Sequence, residues 1–179
     1  HRLLETVVSR CQVLSFRPLP PTELADQLIE ERVPMTLALL AAHLTNSYDE
    51  ALALSQERWF AEARTLVLQL YEMLGKPELQ LLFFIHDRLF PHFPEKHQLD
   101  LGLDLLLYIY RDLLHIQTGR TESALYQDEL DRLQRWALSC PQRRILDSME
   151  AILQAKARLN TTNMSTALLV EQLALQLKR

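Results

Sequence analysis

Three glycines in 179 residues, Gly75, Gly102 and Gly119, constrain this chain more than any other feature. Tight hairpins and barrel corners draw on glycine for backbone angles that other residues avoid, so a turn-rich sandwich or barrel is excluded. Leucine, which favours helix and packs well in helical cores, fills roughly a fifth of the positions. With 48% hydrophobic residues the chain is too apolar for disorder. An all-α fold follows. The longest apolar runs, Leu81–Ile85 and Leu105–Tyr110, are far shorter than a membrane span, and they read as buried core, with no membrane as partner. Two cysteines, Cys11 and Cys140, cannot build a disulfide framework, so the expected setting is the reducing cytoplasm. A net charge of −4 argues against a dedicated nucleic-acid binder.

Along the chain, Val7–Phe16 reads as a short strand, rich in β-branched residues and stopped by Arg17-Pro18. A lone strand needs a sheet to satisfy its backbone. Together with the missing initiator Met, this leads to the expectation that the chain starts inside a longer protein. Pro18, Pro20 and Pro21 break the chain, and Thr22 reads as the N-cap of a first helix. Pro34 opens a second, Met35 to about Leu44, and Ser47 caps a third, Tyr48 to about Ser55. Longer helices follow: about Glu57 to Leu74 (ended by Gly75-Lys76-Pro77), Glu78 to Phe90, Lys96 to Gln117, Glu122 to Ser139, Pro141 to Leu159 and Ser165 to Leu177. The expected organisation is a small three-helix unit and a larger helical bundle, divided near residue 56.

Catalytic signatures are sparse. The glycines are too few for a phosphate loop, and there is no Cys-x-x-Cys or His-Glu-x-x-His. His86, His92 and His97 lie at offsets of six and five across two prolines, which is not zinc-ligand spacing, so surface or capping roles are expected and no metal. Asp100 and Asp104 share a helix face. Paired carboxylates can do acid–base work, but acids near a helix N-terminus are more simply a solvated face. Cys140 before Pro141 reads as structural, and Arg143-Arg144 as a weak basic spot.

The segment Leu3-Leu4-Glu5-Thr6-Val7-Val8-Ser9-Arg10-Cys11-Gln12, followed by a proline break and a three-helix unit, closely resembles the end of the ATPase module in AAA+ clamp-loader subunits. The C-terminal pattern Leu159-Asn160-x-x-Asn163 and Leu168-x-x-Glu171 is similar to the last collar helix of bacterial members. The resemblance covers the whole chain. It implies that residues 1–16 close a truncated nucleotide-binding domain, 17–56 form a helical lid, and 57–179 form a collar for oligomerisation. It also implies that Arg10, flanked by Ser9 and Cys11, is an arginine finger acting in trans on a neighbour's ATP site. A guanidinium suits that role, being always charged and presenting a donor fork matched to phosphate oxygens.

ATP-binding members carry a Gly-Ser-x-Arg-Asp-Ala-Leu pattern in the lid whose arginine contacts nucleotide. Here the stretch is Asn46-Ser47-Tyr48-Asp49-Glu50-Ala51-Leu52, with Asp49 in the arginine's place, and an acid beside a polyphosphate is repulsive. The resemblance therefore implies a bacterial DNA polymerase III clamp-loader subunit that keeps the finger, holds no cofactor and has no catalysis of its own. Its implied partners are the gamma/tau and delta subunits, with primed DNA and the sliding clamp reached only through the assembled complex. An ATP-binding gamma/tau-type subunit is the alternative within the family. Outside it stand a generic helical adaptor and an α-helical enzyme using His86 or the Asp100/Asp104 pair.

Overall fold

The computed structural model describes residues 19–161 and 165–178. The expected strand Val7–Phe16 lies outside the described residues; among those described, every regular element is a helix. Helix α1 (Pro21–Glu30) starts one residue before the expected Thr22 cap, with Pro20 as N-cap and Pro21 in the first turn. Proline's fixed φ and missing N–H suit that turn. The chain leaves α1 through Arg32, whose φ of 65° is left-handed, closing bonds from Arg32 N–H to Ile29 O (2.9 Å) and Val33 N–H to Leu28 O (3.1 Å). Helix α2 (Met35–Leu44) follows Pro34, and α3 (Tyr48–Gln56) is capped by Ser47, whose Oγ accepts the Glu50 N–H at 3.5 Å.

Helix α4 (Arg58–Met73) leads to α5, which begins as Glu78–Phe84, widens into a π-helical stretch, Ile85–Leu89, and ends in the turn Phe90–His92. The uniform helix expected over Glu78–Phe90 is thus interrupted. The widening falls just before Pro91, whose ring crowds the carbonyl four residues back and which donates no hydrogen bond. Helix α6 (Lys96–Gln117) opens with a capping box between Glu95 and Gln98. It closes at Gly119, where φ is 77° and the Arg120 N–H reaches His115 O at 2.8 Å. The last helices are α7 (Leu130–Ser139), α8 (Gln142–Thr161) and α9 (Thr166–Leu177).

The helix expected from Glu122 to Ser139 is α-helical only from Leu130. Residues 121–129 instead form two 3₁₀ turns, Thr121–Ser123 and Gln127–Glu129, around a buried stretch Ala124-Leu125-Tyr126. The cause is Asp112, fully buried on α6. Its Oδ2 accepts the N–H groups of Leu125 (2.8 Å) and Tyr126 (2.9 Å), bonds a helix would have needed for itself. The Tyr126 hydroxyl then donates to Leu105 O at 2.9 Å, locking the loop along α6.

Helix α6 is the axis of the bundle: α2, α4, α7 and α8 pack on it, while α9 packs on α8 and α5. Tyr71 of α4 meets Tyr110 of α6 edge-on, with ring centroids 5.3 Å apart, and Trp136 of α7 at 4.4 Å. The buried apolar side chains form one connected cluster from Leu24 to Leu177, so α1–α3 share a core with the longer helices. Each fully buried leucine in it contributes about 1.5–3 kcal/mol.

Candidate subunit interface

Arg10, Ser9 and Cys11 lie outside the described residues. Within them, the stretch from Asn46 to Leu52 has a local explanation. Asp49 sits exposed in the first turn of α3, where an acid complements the helix dipole. The Thr45 hydroxyl donates to Glu50 Oε2 at 2.6 Å beside it.

The other sequence candidates disperse. His92 is stacked on Trp59 at 5.5 Å, and each side chain bonds the other's backbone carbonyl: the Trp59 indole donates to His92 O at 2.8 Å and His92 Nε2 lies 3.1 Å from Trp59 O. His97 pairs with Glu95 (3.1 Å) and His86 with Glu171 of α9 (2.9 Å). Among the described residues no group of three or more His, Cys, Asp or Glu converges as a metal site would require. Asp100 and Asp104 hold Lys156 of α8, whose ammonium lies 3.3 Å from Asp100 Oδ2 and contacts Asp104. Burial raises the Asp104 pKa, and Lys156 opposes that rise. The pair thus serves as an α6–α8 tie. Cys140 is buried at the α7–α8 turn, where the Gln117 amide donates to the carbonyls of Ala137 (2.7 Å) and Cys140 (2.6 Å). Arg144 is spent on the Lys178 carbonyl, and Arg143 is exposed. The apolar cavity between α4, α6 and α9 is about 20 Å³, room for a packing defect and no substrate. No helix among the described residues is long and apolar enough to cross a membrane.

What the surface offers instead is unpartnered apolar helix. On α5, Leu79 and Phe83 are 68% and 67% exposed. They share a face with His86, at spacings of four and three. On α9, Leu168, Glu171 and Leu175 share a face by the same spacing, and both leucines are exposed. The His86–Glu171 pair bridges the two helices, and by helical spacing the exposed apolar residues of each lie on the face that carries its member of the pair. A second outward stripe, Leu146 and Leu153, runs along α8 at a spacing of seven. Exposed apolar side chains that recur along a helix face are candidates for protein–protein contact. Sequence pattern alone did not separate these leucines from core leucines, because both recur at helical spacing.

The family model described as DNA polymerase III, delta subunit, C terminal, matches residues 88–179. The chain is 42% identical over 178 residues to the DNA polymerase III subunit delta' of Bacillus subtilis (strain 168), a match covering 99% of this chain and 54% of that protein. The chain therefore spans about half the length of this curated relative.

Proposed function

We propose, from the premise that this chain belongs to the family of C-terminal domains of the DNA polymerase III delta subunit, that it is the assembly-forming part of a delta-prime-like member of the clamp loader. The observation that carries this reading is the identity to a delta' subunit, which runs through 99% of the chain. Residues 1–16 then close a nucleotide-binding domain, 17–56 are the lid and 57–179 the collar. The apolar faces of α5, α9 and α8 meet helices of neighbouring gamma/tau and delta subunits in the cytoplasm, and the assembled complex places a sliding clamp on primed DNA. Burial of Leu79, Phe83, Leu168 and Leu175 drives that contact, while the His86–Glu171 pair supplies a directional element.

Arg10 acts in trans. Delivered to the ATP site of a neighbour, its guanidinium neutralises charge that develops on the transferred phosphoryl group, an effect worth orders of magnitude in rate. The protein itself hydrolyses nothing: Asp49 occupies the place where an ATP-binding lid carries an arginine. The test is ATP turnover of the reconstituted complex with wild type and Arg10→Ala. Turnover falling about tenfold or more with assembly intact supports the finger. Unchanged turnover refutes it and leaves only the assembly role.

A further inference from the structure

The loop that departs from helix also touches α2, and the contacts form a continuous bracket. Asp112 holds the backbone of Leu125 and Tyr126, and the Tyr126 hydroxyl is anchored on Leu105 O. Arg64 of α4 lies over the Tyr126 ring, 5.4 Å from its centroid, and its Nη2 donates to both oxygens of Asp128 (2.6 and 2.7 Å). Asp128 Oδ1 in turn accepts the hydroxyl of Thr36, at the N-terminal end of α2, at 3.0 Å. At the other end of α2, the Tyr108 hydroxyl of α6 donates to His43 O at 2.8 Å.

Thr36 and His43 are seven residues apart, about 10 Å along the helix. One tie would let α2 pivot on the bundle; two at opposite ends fix its axis. The apolar contact alone would not. The buried face of α2 carries Thr36, Ala38, Leu40, Ala41 and Ala42, so Leu40 is its one large fully buried side chain, and apolar attraction is non-directional. The directional contacts on α2 come from the loop, at Asp128, and from α6, at Tyr108.

We propose that this bracket sets the orientation of α1–α3 on the bundle, with Asp128 and Tyr108 as positioning residues for these helices and, on the reading of Arg10 given above, for Arg10. The positioning role rests on the reading of Arg10 under the proposed function; the orientation itself does not.

The experiment measures the distance between spin labels placed by bioorthogonal chemistry at Asp26 of α1 and Asp147 of α8 in the full-length protein. Both sites are exposed, and Cys11 and Cys140 stay untouched. Thr36→Val and Tyr108→Phe each delete one tie with little change in volume. Each lost hydrogen bond raises the ratio of other orientations to the native one by about fivefold, and the double variant by about 25-fold. A distribution that is narrow in wild type, widened most in the double variant and restored by Thr36→Ser supports the bracket. An unchanged distribution in the double variant overturns it. ATP turnover of the assembled complex separates the two readings. A widened distribution with unchanged turnover, where Arg10→Ala does lower turnover, overturns the positioning role. An inert Arg10→Ala overturns the finger instead, and the distance alone then decides the bracket.

Discussion

Replacing Asp112 by Asn tests whether burial or hydrogen bonding governs this fully buried carboxylate of the bundle. Burial raises its pKa from 3.8 to about 6, against the opposing pull of the Tyr126 and Leu125 N–H groups and of Arg111, whose Nη1 lies 3.3 Å from Oδ1. The folded state therefore holds this proton more tightly than the unfolded chain. Its contribution to stability is full below about pH 4 and is lost as the pH rises through about 6. A shift of about two pKa units corresponds to about 3 kcal/mol. Asn keeps an acceptor for both N–H groups and carries no charge to desolvate, so its contribution is flat with pH. Urea unfolding of the two proteins, followed by helical circular dichroism from about pH 4 to 8, cancels the other titrating groups by difference. Wild type is expected to lose about 2.5 kcal/mol relative to Asp112→Asn between about pH 4 and 7.5. A pH-independent difference refutes the reasoning and means that the hydrogen bonds and Arg111 balance burial; one of opposite sign means that they outweigh it.

Three other substitutions probe separate parts of the fold. Leu105→Ala, at a fully buried position on α6, is expected to cost about 2–5 kcal/mol in urea unfolding, and a loss below about 1 kcal/mol would deny that α6 is the packing axis. Arg32→Gly relieves a left-handed residue and is expected to raise stability by about 0.5–1 kcal/mol; a decrease would contradict that backbone geometry. Lys156→Met removes the charge that opposes burial at Asp104, so a carboxyl NMR titration is expected to show its pKa rising further, and no rise would dissolve the α6–α8 tie.

Helix boundaries were legible wherever a local signal marked them. Pro34 before Met35, Ser47 before Tyr48 and Thr118-Gly119 after Gln117 each mark a helix end in the structure. The loop over 121–129 was not legible. Its shape depends on a carboxylate thirteen residues away taking two backbone N–H groups, and no window of sequence carries that pairing. The π-helical stretch was hidden for a related reason, since Pro91 announces a helix end but not the widening before it. The Asp100/Asp104 pair was visible as a pair, whereas the lysine that occupies it comes from another helix, 52 residues or more along the chain. Leu79 and Phe83 carry the same periodic signature as buried neighbours; only the packed bundle distinguishes the face left exposed.

The central claim is that this face docks on neighbouring subunits. Native mass spectrometry of the full-length protein mixed with the gamma/tau and delta subunits of its own organism, with and without Leu79→Asp and Phe83→Glu, tests it most directly. Both side chains are solvent-exposed, so the double variant should fold as wild type does, with circular dichroism and melting nearly unchanged. Wild type is expected to enter a mixed complex and the variant to remain outside it. A variant that assembles as well as wild type would move the interface elsewhere on the bundle, and a wild type that joins no complex would contradict the assembly role altogether.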